Sequence, residues 1–217
     1  MGMWKHVPSF IISARPCRAL FLIVRMSRYL IAGLGNIGPE YVNTRHNIGF
    51  DIADALASKH SASFKTERLA DTAIFQFKGK EVLVIKPSTY MNLSGRAVKY
   101  WIDLRNIPVE QTLVVVDDLA LPLSRLRLRP AGSDAGHNGL RSIQEALNTV
   151  NYPKLRFGIG NDFPKGMQSD FVLGKWSKEE LPLVQLKIGK AVEVIENFIF
   201  MGIERTMADV NKKEFIV

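Results

Sequence analysis

The chain has a single cysteine, Cys17, among 217 residues. That excludes an internal disulfide and any zinc site built on paired thiolates, and it suits a reducing, cytoplasmic compartment. No apolar run reaches the roughly 18 to 20 residues that a membrane helix needs. The best candidate, residues 9–25, is interrupted by Arg15, Pro16 and Arg18, so no membrane association is expected. A G-x-S-x-G turn is missing, which excludes the nucleophile elbow of the serine α/β-hydrolases. The four histidines, His6, His46, His60 and His137, never stand three or four residues apart, so no helical pair of metal ligands exists and no metal or other cofactor is expected. Internal repeats and low-complexity tracts are also missing.

What is there is an ordinary globular composition, 47% hydrophobic and 23% charged, in a length suited to one large domain. Such a domain buries roughly 70% of its unfolded surface and needs no covalent staples. The net charge is +8, from 29 basic and 21 acidic residues. Lys5, Arg15, Arg18 and Arg25 fall in an acid-free start, and what remains is a mild basic excess that points to a polyanion only where it is clustered. Residues 1–26 have the Arg- and Ser-bearing composition of a transit peptide but lack a clean signal-peptide core and cleavage site. They are read as a leader that is disordered or not translated, with synthesis starting at Met26, and residues 27–217 as one domain.

From residue 27 onward, strand-like and helix-like segments alternate. Apolar runs at 29–33 and 112–116 predict buried strands, and 154–160 reads as a further strand. Residues 73–77 and 81–86 are β-rich and joined through Lys78-Gly79-Lys80, a hairpin signal. Helical spacing marks 47–60, 94–104 and 138–150. It also marks 178–201, where Leu181, Val184, Ile188, Ala191, Ile195 and Ile199 form an apolar stripe. Residues 125–129 alternate basic and apolar, as a half-exposed strand does. The pattern predicts a single-domain, three-layer α/β/α sandwich around a mixed, mostly parallel sheet.

Gly33-Leu-Gly35-Asn-Ile-Gly38 matches the dinucleotide fingerprint G-x-G-x-x-G. The fingerprint, however, needs a helix starting at the glycines and an acidic residue closing a second strand. Here Pro39 follows, the helix begins near Asn47, and Asp51 and Asp54 lie inside it. A dehydrogenase is therefore not expected, and the glycines serve to turn Asn36 into place at a strand end.

Polar residues gather where the apolar segments stop: Asn36, Arg45-His46-Asn47, Tyr90-Met91-Asn92, Asp117-Asp118 and Gly136-His137-Asn138-Gly139. Histidine, aspartate and asparagine at loop positions are the raw material of metal-free hydrolysis. Each has a plainer use. His46 and Asn47 could simply open a helix, with Asn47 capping it. Met91 could be core, and His137-Asn138 could be a plain helix start.

Four segments, GLGNIGPEYVNTRHNIGF, KPSTYMNLSG, VVVDDLALP and GSDAGHNGLRSI, closely resemble the bacterial-type peptidyl-tRNA hydrolases, in order and from about Tyr29 to the end of the chain. The resemblance implies cleavage of the ester between a peptidyl group and the 3′-terminal ribose of tRNA, without a metal, by a monomer whose partner is peptidyl-tRNA. It implies His46 as general base, Asp117 as the carboxylate orienting it, and Asn36 and Asn92 beside the scissile bond. By the same resemblance Asn138 meets the peptide backbone, Tyr41 and Met91 wall the cleft, and Arg129 and Arg156 meet the tRNA 5′ phosphate. His137 is expected to shape the wall only. Arg125, Arg127 and Arg129, two apart, are expected to line one strand face. Two departures stand out: Ala120 replaces an aspartate that many members carry, and Ala135 replaces a glycine. The rival reading is a non-catalytic tRNA- or rRNA-binding module of the same fold, which would have no need of the base and its orienter.

Overall fold

The structure, a computed structural model, describes residues 27–216. Cys17 and the expected leader lie outside the described residues. Seven strands form one sheet: β1 (Arg28–Gly33), β2 (Lys65–Glu67), β3 (Ala70–Phe77), β4 (Lys80–Pro87), β5 (Thr112–Asp118), β6 (Leu126–Arg129) and β7 (Lys154–Gly158). Their order is β2-β3-β4-β1-β5-β7-β6. The four inner strands run parallel, and β2, β3 and β6 join antiparallel at the two sides.

Helices cover both faces, because the central strands β1 and β5 are apolar on both. On one face α1 (Ile48–Lys59), α5 (Leu181–Met201) and α6 (Ile203–Val210) pack against Ile31, Val84, Val115 and Phe157. On the other, α2 (Ser94–Arg105) and α3 (Asn138–Leu147) cover Leu30, Ala32, Val114 and Val116. A further short helix, α4 (Gln168–Leu173), lies at the strand C-terminal end, where parallel sheets open their sites.

The hairpin joining β3 and β4 turns on two residues, Lys78 and Gly79, at φ of 50° and 75°. Two consecutive positive φ values match the twist of antiparallel strands. Helix α3 stops at Leu147 rather than continuing to 150, since Asn148 adopts a left-handed φ of 51° and ends the hydrogen-bond ladder. Helix α5 begins at Leu181, three residues later than the periodicity suggested, and Leu181 itself is 39% exposed. Its buried stripe starts one turn on, at Val184. Ser177 and Glu180 hold that start in a reciprocal capping box: the Ser177 N–H donates to Glu180 Oε2 at 2.7 Å and the Glu180 N–H to Ser177 Oγ at 3.2 Å.

Strand β7 is pinned at both ends by fully buried lysines. Lys154 Nζ donates to the carbonyl oxygens of Val150 and Tyr152, and Lys187 Nζ to that of Gly158. Each ammonium also lies over an aromatic ring, Tyr152 and Phe157 respectively. Burial pushes Lys154 down to about 8, with Arg156 adding to the effect, and Lys187 down to about 7. At the sheet margin, the Asn211 amide receives the Leu128 N–H at 2.8 Å and donates to the Leu128 carbonyl at 3.0 Å.

Candidate active site

The glycines at the end of β1 and just after it allow close packing; only a single 3-10 turn, Pro39–Tyr41, follows them, and α1 does not begin until Ile48. A Cβ on Gly33 would stand 2.1 Å from the Gly49 carbonyl oxygen, and one on Gly49 would stand 2.4 Å from the Leu34 backbone. The first turn of α1 therefore rests directly on the end of β1. That contact brings Arg45–Asn47, a single 3-10 turn, beside Asn36.

Asn47 binds Asn36 through both of its backbone groups. Asn47 Oδ1 accepts the Asn36 N–H at 2.8 Å, and Asn47 Nδ2 donates to the Asn36 carbonyl at 2.9 Å. No capping bond from Asn47 to α1 is made, so its use differs from a helix cap. Asn36 Oδ1 in turn accepts the Met91 N–H at 2.9 Å. With that oxygen engaged, the Asn36 NH2 is the group left for the cleft, and it can only donate. Met91 is 5% exposed and belongs to the core, yet it also lines the cleft, so both expected uses are met in one side chain.

Strand β5 ends in two carboxylates that alternate to opposite sides. Asp118 takes Arg156 Nη1 at 3.1 Å, and Arg156 Nη2 reaches the Ser133 carbonyl at 2.7 Å. Asp117, 4% exposed, lies between two imidazoles. His46 Nδ1 is 2.9 Å from its Oδ1 and 3.1 Å from Oδ2, and His137 Nε2 is 3.1 Å from Oδ1. The rings stand 4.9 Å apart. On its far side His137 Nδ1 accepts the N–H groups of Gly139 and Leu140, capping α3. A nitrogen that accepts carries no proton, so the His137 proton sits on Nε2 and points at Asp117.

These contacts set the ionisation. Burial works against a charged His46, but the charge and hydrogen bond of Asp117 outweigh it and raise the imidazole above its ordinary value of 6.5. Burial would push Asp117 up, but His46 and His137 hold it well below the usual carboxylate range. The arrangement is an oriented base whose protonated form is stabilised from behind.

His46, Asp117 and His137 offer ligand atoms within 4.8 Å of one another. They do not fit a cation well. Holding one at His137 Nε2 would strip the proton from a ring whose other nitrogen is already committed as an acceptor.

These groups open onto a cleft of about 830 Å³. Of the residues predicted from sequence, Asn36, Tyr41, His46 and Met91 line it, as do Asn92, Asp117, Asn138 and Arg156. Arg129 does not. It lies exposed on β6, across from Lys154, with Arg127 exposed across from Arg156. The expected row of three arginines is shorter than read, because Arg125 precedes β6 and is tied to Glu214 and the Lys213 carbonyl. Arg156 is 8% exposed, its charge met by Asp118.

Sequence reading did not find the second imidazole on Asp117, the Asn47 brace or the α4 wall of Gln168, Ser169, Val172 and Leu173. Helix α4 has six residues and no buried one, so it leaves no periodic trace. The Ser177-x-x-Glu180 capping box was the available signal that a separate segment ends just before α5. Ala135 occupies a left-handed φ of 51° beside His137, where a glycine would sit without strain.

The family model described as peptidyl-tRNA hydrolase matches residues 30–216. A peptidyl-tRNA hydrolase of Phocaeicola vulgatus is 54% identical over 186 residues, covering 86% of this chain and all of that protein. One from Cytophaga hutchinsonii is 47% identical over 187 residues, again covering 86% of this chain and all of the relative. Among solved structures, the peptidyl-tRNA hydrolase of Acinetobacter baumannii superposes with a TM-score of 0.82 at 33% identity, over 87% of this chain and 97% of that one.

Proposed function

The chain belongs to the peptidyl-tRNA hydrolase family, and from that premise we propose how its cleft hydrolyses the ester between a peptidyl group and the 3′-terminal ribose of tRNA. The observation that carries the mechanism is the His46–Asp117 contact at 2.9 Å. Asp117 holds the proton on Nδ1, which leaves Nε2 free to take a proton from water. The resulting hydroxide attacks the ester carbonyl. His46, now protonated and stabilised by Asp117, returns a proton to the departing ribose oxygen. An ester is an activated substrate, so water and an oriented base suffice without a covalent nucleophile or a metal.

Charge developing on the carbonyl oxygen needs a donor. Asn92, exposed at the cleft, supplies its NH2 to the tetrahedral intermediate, an effect worth roughly 3 kcal/mol in good geometry. Asn36, whose NH2 is held outward by the bond from Met91, donates to the ribose end or to the attacking water. Asn138 binds the peptide backbone, and Tyr41 with Met91 walls the cleft, the tyrosine face taking the terminal adenine.

The tRNA body is assigned to the basic margin of the sheet. Arg129 and Arg127 are exposed there and available to phosphates. Arg156 completes the set from the cleft wall, sharing its charge with Asp118. Residues 27–217 act as one catalytic domain, as a monomer in the cytoplasm. No helix among the described residues is long and apolar enough to cross a membrane.

The test is hydrolysis of N-acetyl-aminoacyl-tRNA by the full chain, beside His46→Ala and with EDTA present. Cleavage that the substitution abolishes and EDTA leaves unchanged supports the mechanism. tRNA binding without cleavage would overturn it in favour of an RNA-binding module and make Ala120 the first position to restore to aspartate.

A further inference from the structure

We propose that Arg45 is a positioning residue, which holds the α4 wall of the cleft in register with His46, its neighbour in the chain. The inference rests on reading this cleft as the site of peptidyl-tRNA hydrolysis. Arg45 is 9% exposed, and its bonds are long-range. Nη2 binds both oxygens of Glu180, at 3.0 and 2.8 Å, while Nη1 donates to the Lys175 carbonyl at 2.9 Å and reaches that of Phe171 at 3.5 Å. The guanidinium carbon lies 4.4 Å from the Phe171 ring centre and 5.0 Å from that of Trp176. The backbone adds a second strap: Thr44 bridges Lys175, and the Arg45 N–H donates to Gly174 at 3.0 Å.

These contacts converge on one short stretch, the end of α4 and the turn that leads into α5. A six-residue helix cannot hold itself, so its orientation depends on what grips its ends. Phe171 and Val172 pack against the core from a half-buried position. Arg45 supplies the directional part, a planar fork that fixes two main-chain carbonyls and a carboxylate at once. Glu180 is shared with the capping box of α5, so the wall, the base-bearing turn and the helix start meet at a single carboxylate.

The grip is directional as well as stabilising, because one guanidinium ties the end of the wall to the start of α5. Gly174 approaches closely as well, since a Cβ there would stand 3.1 Å from Arg45 Nη1. What the arrangement secures is direction: the side chain after Thr44 aims at the wall, and the next residue, His46, aims at the substrate.

The experiment uses the full chain with Arg45→Lys and, separately, Glu180→Gln. Lysine keeps the charge but cannot span the carbonyls and the carboxylate together. Glutamine keeps an acceptor for the Ser177 N–H, so the start of α5 survives. Steady-state hydrolysis of N-acetyl-aminoacyl-tRNA is measured beside amide exchange. The expected result is a KM roughly tenfold higher, because a displaced wall binds substrate less well, with kcat within about twofold and its pH midpoint unmoved. Exchange should quicken over residues 168–174 and stay slow in β1 and β5. Unchanged KM with unchanged exchange would overturn the proposal, and so would a fall in kcat with faster exchange throughout. Should the unsubstituted chain itself fail to hydrolyse the ester, the hydrolase reading falls, and exchange over 168–174 then decides whether Arg45 holds the wall.

Discussion

The floor of the cleft and its α4 wall are built on different terms. The floor comes from the ends of β1, β4 and β5 and the turns that open α1 and α3, whose residues bond to one another: Asn47 to Asn36, Asn36 to Met91, and two imidazoles to Asp117. Every member is braced by a neighbour that rests on buried sheet. The wall is a short half-buried helix gripped at its end by Arg45. A braced floor suits chemistry, where an ångström matters. A wall held mainly at one end suits binding, where the cost of a small shift is a change in affinity.

That contrast is broken most severely at Asp117. Asp117→Asn should reduce kcat by about 10³–10⁴-fold with little change in KM, because the imidazole loses its tautomer and its counter-charge. A loss below tenfold would mean that His46 is oriented by something else. Acidification probes the same contact. kcat/KM should fall about tenfold per pH unit below a midpoint that lies above 6.5, and a midpoint below that value would contradict the pairing.

Stability follows the linked signs. The His46 imidazolium contributes fully below 6.5, and its contribution fades as pH rises through the raised folded value. Asp117 contributes above 3.8 and loses that contribution as pH falls toward its depressed folded value. Thermal midpoints of the parent chain and Asp117→Asn across this range would separate the two.

Next in size is Asn47→Ala, which frees the Asn36 backbone while leaving every cleft-lining side chain in place. kcat should drop roughly ten- to a hundredfold, less than removing a donor outright. An unchanged kcat would show that Asn36 holds its pose without the brace. On the wall, Phe171→Leu removes one cation–π face from Arg45 and should raise KM about two- to fivefold with kcat constant. If kcat fell instead, wall and floor would not be separable. The smallest effect belongs to Ala135→Gly. Relieving a left-handed alanine should raise stability by up to about 1 kcal/mol, or about 2–4 °C in Tm, and calorimetry showing a lower Tm would refute the strain.

Much of the fold was legible because it is built from segments that bury themselves. The runs that became β1 and β5 are apolar on both faces through most of their length, and the stripe along α5 has helical period. The floor of the site was legible through the residue types clustered at strand ends. What stayed hidden depends on pairs far apart in the chain. Nothing local tells that the Asn47 amide turns back eleven residues to Asn36, or that Arg45 reaches forward to Glu180. His137 is the instructive middle case. Its place at a helix start was readable, and it does cap α3, but the same ring's other nitrogen reaches Asp117, which only the assembled sheet reveals.

The Asn211 side chain has a consequence of its own at the far margin. Strand β6 ends the sheet, and an unpaired margin of that kind is a template for the strand of another molecule. Asn211 already occupies both backbone groups of Leu128, presenting a single residue's donor and acceptor in place of a whole strand. Any chain seeking to lengthen the sheet there must first evict an amide that belongs to the same molecule. Strand addition at Leu128 is thereby blocked without adding a strand to the fold.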